Sequence, residues 1–433
     1  MKVALVNPAW RFDGSIYFGC REPHLPLEYG YARQMLEAAG HEVLIADGQL
    51  GALSPADIRN AVASFAPDMT VVTTAPSYLF WRCAPPELRV PQETVRELRP
   101  VGGTMAAVGP HGSTTPRAAF EKLGVDVVVM GEPEEILVTL AATPRRGEWR
   151  TVPSIAYRDE HGRVVLQGGP HASDMAKLPA LKWPAASARR HAHHHHRFDG
   201  GEKGPGAEME TSRGCPYSCT FCAKENFRDK YRRRPLPVIL EELDGLIAQG
   251  IDYVYFIDEI FLPNRPLLEA LVERDVRFGV QTRIDLWKPD MLELLGRAGC
   301  VSIEAGVESL SAEGRERLDK DCRISTEELT ERLIFAKKHV AFVQANLIAA
   351  ELDDPDEIER WRARLQRHGV WANKPVPLFP YPGTPDYRLR WGFPDDEAWE
   401  RAHAAYLEQF DEFSDIQEQR PLPLREIELP RPT

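Results

Sequence analysis

Short runs of apolar, mostly β-branched residues recur along the first 140 residues, and apolar positions at helical spacing lie between them. Runs that are apolar throughout are typical of parallel strands buried on both faces, joined by right-handed helical crossovers. The pattern predicts an open, doubly wound, Rossmann-like α/β domain over residues 1–145, with its ligand beyond the carboxyl ends of the strands. The runs are Val3 to Val6, Val43 to Ala46, Thr70 to Thr74, Met105 to Val108 and Val125 to Met130.

A second alternating segment predicts a partial (β/α)6 barrel of the TIM type over residues 206–390. Between the two domains, residues 146–205 indicate a connection with a hairpin around His161-Gly162 and a His-rich linker. Residues 391–433 predict a C-terminal helix and an extended tail packed on the barrel. The six barrel runs are Met209 to Ser212, Tyr253 to Ile257, Phe278 to Thr282, Val301 to Ala305, Phe342 to Ile348 and Pro375 to Phe379.

Chain length and net charge limit the number of domains and the kinds of partner that the protein can have. A chain of 433 residues is long enough for two or three domains, each with its own core. The formal charge of -12 argues against broad electrostatic binding to nucleic acid. No apolar window approaches the roughly 18 to 20 residues that cross a bilayer, and the N-terminus lacks the features of a signal peptide. We therefore expect a soluble, cytoplasmic protein without a membrane or nucleic-acid partner.

Three of the seven cysteines crowd into one segment, TSRGCPYSCTFCAKENFR. Cys215, Cys219 and Cys222 follow the spacing CxxxCxxC directly after the first barrel strand, where one loop can aim three thiolates at a single point. Three thiolates around a cubane of four irons leave the fourth iron open to bind a substrate. A structural zinc site, which normally needs a fourth Cys or His, and a fortuitous cluster are the alternatives. The other four cysteines are scattered and do not suggest a disulfide framework.

Residues 206–390 resemble the radical S-adenosylmethionine superfamily. The resemblance rests on the cysteine loop and on the segments YFIDEIF, VQTRID, IEAGVES and YPGTP. It implies a 4Fe-4S cluster held by the three cysteines, whose open iron chelates the methionine moiety of S-adenosylmethionine. Reductive cleavage then yields a 5′-deoxyadenosyl radical. The chain departs from the family after the fifth strand, where NLIAAELDDPDE replaces a glycine-rich stretch.

The same resemblance assigns contacts to S-adenosylmethionine. Glu259 and its neighbour Asp258 match side chains near the methionine amine, and the planar guanidinium of Arg283 suits bidentate pairing with the methionine carboxylate. For the polar residues the alternative is an ordinary side chain at a strand end. The full set of candidate contacts is Phe221, Asp258, Glu259, Arg283, Glu308 and Ser309.

Residues 1–142 resemble the cobalamin-binding domain that precedes many radical S-adenosylmethionine barrels. The matching segments are LVNP, GHEVLIAD, TTAPS, VGPHGS and VVVMGEPEE. Gly109 and Gly131 follow apolar strands, where a missing side chain lets the backbone approach a bulky ligand; simple turns of the chain are the alternative. The candidate cobalamin contacts are Pro8, Thr73, Thr74, Ser77, Gly109, His111, Gly131 and Glu132.

Three further features qualify this picture. The Asp-x-His-x-x-Gly signature, which places a histidine below cobalt, is absent after the first strand, so Tyr78, Trp81 or Arg82 could lie under the corrin instead. The run His191 to His196 favours a solvated, adventitious metal binder over a built site, because Gly, Arg and Pro surround it. The basic run Arg232 to Arg234 fits either a solvated face or a contact for an acidic substrate or electron donor.

Together the resemblances imply a cobalamin-dependent radical methyltransferase that acts on an unactivated carbon, or a phosphinate phosphorus, of a small molecule or natural product. An external one-electron donor such as flavodoxin or ferredoxin would serve it. The closest alternative keeps the same cofactors but catalyses oxidative cyclisation or rearrangement without methyl transfer. A tRNA methylthiotransferase would carry three further cysteines in its N-terminal domain. A non-catalytic cobalamin or iron-sulfur protein would not need the open iron.

Overall fold

The computed structural model describes residues 1–16, 23–76, 84–191, 205–224, 230–409 and 420–432. Its strands are β1 Lys2–Asn7, β2 Glu42–Asp47, β3 Met69–Thr73, β4 Thr104–Val108, β5 Val127–Val129, β6 Ile155–Arg158, β7 Val164–Gln167, β8 Gly206–Met209, β9 Ser212–Arg213, β10 Arg232–Arg233, β11 Tyr253–Phe256, β12 Arg277–Thr282, β13 Cys300–Glu308, β14 Phe342–Leu347 and β15 Trp371–Ala372.

Helices connect most of these strands. They are α1 Leu27–Ala38, α2 Pro55–Phe65, α3 Arg89–Leu98, α4 Pro110–Thr114, α5 Pro116–Leu123, α6 Glu134–Ala142, α7 Ala185–Ala188, α8 Leu236–Ala248, α9 Arg265–Val272, α10 Pro289–Arg297, α11 Ala312–Arg317, α12 Thr326–Lys337, α13 Pro355–Arg367, α14 Pro385–Trp391, α15 Ala398–Glu408 and α16 Leu424–Ile427. No helix in the described ranges is long and apolar enough to cross a membrane.

The first sheet has the order β2-β1-β3-β4-β5-β6-β7, and β1 to β5 are parallel. Both of its faces are buried: Val3 and Leu5 belong to one apolar cluster, whereas Ala4 and Val6 belong to a second one on the opposite face. This two-sided burial explains why the strands are apolar throughout. The doubly wound prediction is confirmed, and each of the five predicted runs contains a strand.

The hairpin around His161-Gly162 is present, and Gly162 has a φ of 78° in its turn. Its first strand, β6, pairs antiparallel with β5. The hairpin therefore extends the first sheet instead of standing between the domains.

The second sheet has the order β15-β14-β13-β12-β11-β8, and every neighbouring pair is parallel. The prediction of a six-stranded partial barrel is confirmed. The predicted position of the last strand is wrong, because β15 precedes Pro375 to Phe379 and Val376 forms only an isolated bridge with Ile348. Pro375 and Pro377 lack the N–H groups that a ladder requires.

The C-terminal segment, which the sequence analysis placed on the barrel, also packs on the N-terminal domain. Trp399 donates from Nε1 to Thr115 Oγ1 at 3.0 Å, and its ring lies 4.6 Å from that of His111. Further along, Glu428 accepts hydrogen bonds from the Leu88 backbone and from Lys122, both at 2.9 Å. Burial of the indole beneath the first domain explains why this segment is rich in aromatic residues.

Candidate active site

The three cysteines lie on the loop after β9 and line one side of a cavity of about 250 Å³ at the carboxyl ends of the barrel strands. The loop begins with a turn at Gly214, whose φ is 78° and whose N–H donates to Glu259 at 2.7 Å. The cavity is lined by Cys215, Tyr217, Cys219, Phe221, Cys222, Glu259, Ile260, Gln281, Thr282, Arg283, Glu304, Gly306, Glu308, Lys320 and Asn346.

The thiols are placed for metal binding. Contact with Cys222 and burial raise the pKa of the Cys219 thiol well above its ordinary value, so a bound metal must displace this proton. Lys224 donates to the Cys215 carbonyl at 3.0 Å, and the Cys222 N–H donates to the Cys219 carbonyl at 3.1 Å. These bonds fix the loop in a tight conformation, and three sulfurs facing one cavity fit a cluster with an open iron.

Arg283 is held in one orientation at the wall of the cavity. Its Nε and Nη2 donate to Asp285 at 3.1 and 2.7 Å, and its guanidinium stacks on Tyr217 at 3.9 Å from the ring centroid. Its Nη1 is buried and has no hydrogen-bond partner among the residues that the structure describes. A buried unsatisfied donor is costly, so this atom is suited to receive an anionic group of a ligand.

Glu308 ends β13 with a φ of 69°, in the left-handed region that residues with a side chain seldom adopt. The register between β13 and β14 shifts at this point. Its carboxylate pairs with the nearly buried Lys320 at 3.1 Å, and both side chains line the cavity. Strain of this kind is often found at functional sites.

Sequence reasoning missed several polar residues of the cavity, among them Gln281, Glu304, Asn346 and Lys320. Gln281 on β12 lies opposite Glu304 on β13, and Asn346 lies on β14 opposite Gly306. A usable signal existed, because a polar residue at an alternate position of an otherwise apolar strand points toward the barrel interior. Lys320 lies in a connection, and no local pattern distinguished it.

Two predicted contacts lie outside the cavity lining. Asp258 accepts hydrogen bonds from the Thr211 N–H at 2.7 Å and from the Ser212 hydroxyl at 2.5 Å, and burial raises its pKa to about 7. Ser309 donates to Asp353 at 2.8 Å. In the structure both side chains hold loops that flank the cavity.

The first sheet offers polar groups at its carboxyl edge. Thr73 Oγ1 donates to the Ala75 carbonyl at 2.9 Å, whereas Thr74 Oγ1 is buried without a partner among the described residues. Gly109 has a φ of 128°, and a Cβ there would collide with the Thr74 hydroxyl. Pro8 follows β1 at the same edge. The missing side chain of Gly109 therefore makes room for Thr74, and the Thr74 hydroxyl is suited to bond a polar ligand. Ser77, Tyr78, Trp81 and Arg82 lie outside the described residues.

Three other predicted cobalamin contacts face the protein itself. His111 is fully buried under Trp399 and donates from Nε2 to the Pro85 carbonyl at 2.8 Å; burial lowers its pKa to about 3. Gly131 forms an isolated bridge with His171, so its missing side chain makes room for the chain. The third residue, Glu132, belongs to an ionic network between the domains.

That network joins the cluster loop to the first sheet. Arg213, which is fully buried, donates to Glu132 at 2.8 Å, to Glu134 at 2.6 Å and to Glu210 at 3.0 Å. Arg232 also binds Glu132. Because Arg213 stands two residues before Cys215, these bonds fix the position of the cluster loop relative to the turn between β5 and α6.

The structure changes the interpretation of two remaining sequence features, the basic run and the histidine run. In the basic run, Arg232 pairs with Glu132 and Arg234 pairs with Glu242 at 2.7 Å, so neither guanidinium is a solvated charge awaiting a partner. In the histidine run, His191 is fully buried, contrary to the expectation of a solvated binder, and residues 192–196 lie outside the described residues.

Comparison with protein families gives two matches. The model of the radical SAM superfamily matches residues 209–368, and that of the B12 binding domain matches residues 21–141. The first match covers the cluster loop and most of the barrel strands. The second covers the parallel part of the first sheet from α1 onward.

Several curated proteins align with most of this chain. An uncharacterized methyltransferase of Pyrococcus horikoshii is 24% identical, over 89% of this chain and 82% of its own length. Hopanoid C-3 methylase of Methylococcus capsulatus is 28% identical, over 89% and 71%. Anaerobic magnesium-protoporphyrin IX monomethyl ester cyclase of Rubrivivax gelatinosus is 24% identical, over 75% and 58%.

A solved structure shares the fold. The radical S-adenosylmethionine methyltransferase TsrM from Kitasatospora setae, with cobalamin and a 4Fe-4S cluster bound, superposes with a TM-score of 0.69 at 20% identity, covering 89% of this chain and 76% of that one. The chain belongs to the radical S-adenosylmethionine enzymes that carry a B12-binding domain, a family whose cofactors are a 4Fe-4S cluster, S-adenosylmethionine and cobalamin.

Proposed function

We propose that this enzyme transfers a methyl group to an unactivated carbon, or to a phosphinate phosphorus, of a small molecule or natural product. The observation that carries the proposal is the cavity where Cys215, Cys219 and Cys222 face Arg283 and the Glu308–Lys320 pair. Methylases among the relatives, including one that acts on hopanoids, support a carbon acceptor. The TsrM structure that contains tryptophan supports a small-molecule substrate.

In this proposal each polar group of the cavity has one task. The three thiolates hold the cluster, and Phe221 closes the loop beside it. Arg283 binds the methionine carboxylate through its unpaired Nη1, and Glu259 accepts hydrogen bonds from the methionine amine. Glu308, held by Lys320, accepts hydrogen bonds from the ribose hydroxyls.

The bound groups supply reductive cleavage of S-adenosylmethionine at the cluster and a methyl group at cobalamin. The protein contributes position and exclusion of water. Arg213 fixes the cluster loop against Glu132 and Glu134 of the B12-binding domain, so the barrel mouth and the carboxyl edge of the first sheet keep a constant relation. Gln281 and Glu304, on neighbouring barrel strands, supply polar groups to the wall of the cavity.

Cofactor content tests the site. The protein would be purified without oxygen, reconstituted with iron, sulfide and hydroxocobalamin, freed of unbound cofactor and analysed for iron and cobalt. We expect roughly four irons and one corrin per chain. The variant with Ala at all three cluster cysteines should keep its corrin but lose its iron. Iron without corrin in the parent protein would overturn the proposal of cobalamin-dependent methylation.

A second candidate is oxidative cyclisation, favoured by the cyclase among the relatives. The two reactions differ in what becomes of S-adenosylmethionine. Methyl transfer releases S-adenosylhomocysteine from one molecule and 5′-deoxyadenosine with methionine from another, whereas cyclisation releases 5′-deoxyadenosine and methionine without S-adenosylhomocysteine. With substrate extracts and trideuteromethyl-labelled S-adenosylmethionine, a labelled product would support methylation, and an unlabelled product that has lost hydrogens would support cyclisation.

The electron donor also belongs to the proposal. A flavodoxin or ferredoxin would reach the cluster through a surface groove of about 650 Å³ that is lined by Thr220, between two cluster ligands, and by Arg317 and Arg390. Glu351 and Asp386 also line the groove, and Arg317 lies 3.8 Å from Glu351; an acidic donor surface would pair with the guanidinium groups beside these carboxylates. Relative to the parent, the substitution Arg317→Glu should slow cluster reduction by flavodoxin but not by dithionite. An unchanged rate with flavodoxin would place the donor elsewhere.

A further inference from the structure

Two buried histidines and a buried glutamate meet where the two domains join. His24 precedes α1, His191 ends the described part of the connection, and Glu208 lies on β8, the edge strand of the barrel. Their exposed fractions are 0%, 0% and 1%. One possible ligand atom of each side chain, a ring nitrogen or a carboxylate oxygen, lies within 4.8 Å of the ligand atoms of the other two. The proposed methyl transfer has no use for this group.

The orientation of the rings suits a metal ligand set. His191 Nδ1 donates to the Gly206 carbonyl at 2.8 Å, so its Nε2 carries the lone pair and lies 4.0 Å from Glu208 Oε2. A hydrogen bond at the second ring nitrogen is the usual way in which proteins orient a metal-binding histidine. His24 contacts the other carboxylate oxygen through Nδ1.

We propose that His24, His191 and Glu208 bind one divalent transition-metal ion of the Zn²⁺ class. Two imidazoles and one carboxylate are an established zinc ligand set, and a fourth position remains for water. Tetrahedral ligands at about 2.1 Å from zinc stand roughly 3.4 Å apart. Closing the present separations to that value needs only small side-chain movements.

Such an ion would join parts of the chain that are distant in sequence. His24 belongs to the B12-binding domain, Glu208 to the barrel and His191 to the segment between them. Metal binding would therefore stabilise the domain interface, independently of the Arg213 network. The ordinary alternative is a metal-free hydrogen-bonded triad, which predicts no effect of zinc on stability.

The test uses the cluster-loaded, full-length chain, so that the cysteines are occupied and iron is counted separately from zinc. His193, His194, His195 and His196 are replaced by Gln, because this run would bind zinc adventitiously. After dialysis against Zn²⁺ and removal of loose metal, we expect one zinc per chain and a higher melting temperature. Absence of retained zinc would overturn the site.

Matched variants in that background locate the metal. Glu208→Gln should weaken zinc binding by at least about 10-fold, the loss that even an outer partner of a ligand can cause, and abolish the thermal shift. Glu160→Gln, beside the exposed His161 of the hairpin, should change neither. Equal zinc binding by Glu208→Gln and Glu160→Gln would refute the assignment.

If Glu208→Gln fails to fold, X-ray absorption at the zinc edge can still identify the ligands. It is measured on the chain that keeps His24, His191 and Glu208. A shell of nitrogen and oxygen at about 2.0 to 2.2 Å would support the His and Glu ligands. A sulfur shell at about 2.3 Å would place the metal on cysteine and overturn the proposal. Neither result depends on whether the enzyme transfers methyl groups.

Discussion

Arg283 shows how one side chain can be fixed by some of its donors and offered to a ligand by another. Asp285 and the Tyr217 ring hold the guanidinium, and Nη1 is left for an anion. Lysine would keep the charge but lose the planar fork and the stacking. The geometry of this one residue therefore supports a specific assignment within the S-adenosylmethionine site.

The substitution Arg283→Lys should weaken binding of S-adenosylmethionine by about 10- to 100-fold, because a hydrogen bond to a charged group contributes about 1.5 to 3 kcal/mol. Equilibrium binding to the reconstituted protein measures the change, and the iron content should be unaffected. Arg265→Lys is the control, since Arg265 lies on the surface and pairs with Asp290. Equal affinities of both variants would remove Arg283 from the site.

His111 makes stability depend on pH. Its pKa is lowered to about 3 by burial, so below its ordinary value near 6.5 the unfolded chain takes up a proton that the folded chain does not. The contribution of His111 is fully present above pH 6.5 and is progressively lost as pH falls toward 3. Denaturant unfolding at pH 7.5 and 5.5 measures this loss.

When the pH falls from 7.5 to 5.5, the free energy of unfolding of His111→Phe should fall by about 1 kcal/mol less than that of the parent. Phenylalanine keeps an aromatic ring against Trp399 but has no proton to gain. His161→Phe, on the exposed hairpin, should retain the pH dependence of the parent. An identical loss in parent and His111→Phe would exclude His111 as the source.

At the scale of elements, α1 packs tightly on the connection between the domains. Gly30 faces the indole of Trp183, and a Cβ there would lie 2.7 Å from the ring and 3.1 Å from Leu181. Gly30→Ala should therefore cost about 1 to 3 kcal/mol, as overpacked sites do. Gly245→Ala on α8, where a Cβ would meet nothing within 4 Å, should gain roughly 0.5 to 1 kcal/mol. Unfolding free energies of the two variants, compared with the parent, test the opposite signs.

Elements that depend on local pattern could be predicted from the sequence. The cluster cysteines lie within eight residues, and apolar runs mark nearly every strand, because both signals reflect local geometry. The sequence did not show which of two adjacent residues faces the cavity: Glu259 lines it, whereas Asp258 faces Thr211. Which side of a strand end faces the ligand depends on packing, and periodicity alone does not determine it.

The partners in long-range contacts could not be predicted from the sequence either, because they too depend on packing. Arg213 stands beside the cysteine motif, but two of its carboxylate partners, Glu132 and Glu134, are 81 and 79 residues away. Glu132 was consequently assigned to cobalamin, because its position after a strand was visible and its ionic partner was not. The burial of His191 likewise depends on a contact with Gly206, which no feature of the histidine run indicates.

At the scale of the whole molecule, the Arg213 network is a buried ionic contact between the domains. Arg213→Met would leave Glu132, Glu134 and Glu210 buried without their common partner, and breaking a buried pair in this way costs about 3 to 5 kcal/mol. We expect the two domains to unfold in separate thermal transitions and corrin retention to fall.

Arg59→Met supplies the comparison for that prediction. Arg59 pairs with Glu97 on the surface, with about half of each side chain exposed, so its loss should cost about 0 to 1 kcal/mol. A single unfolding transition in Arg213→Met, at the temperature found for Arg59→Met, would mean that the apolar contacts alone couple the domains.

The contact between Trp399 and the first domain also has a consequence for the order of synthesis. Thr115 and Trp399 are separated by 284 residues, so a ribosome adding about 5 to 20 residues per second leaves the first domain without this cover for roughly 15 to 60 s. The last strand of the first sheet ends at Gln167, so for most of that interval the sheet is complete while the surface around His111 is still open to solvent. Newly made chains therefore expose this face to chaperones, and to cobalamin, before translation reaches the segment that covers it.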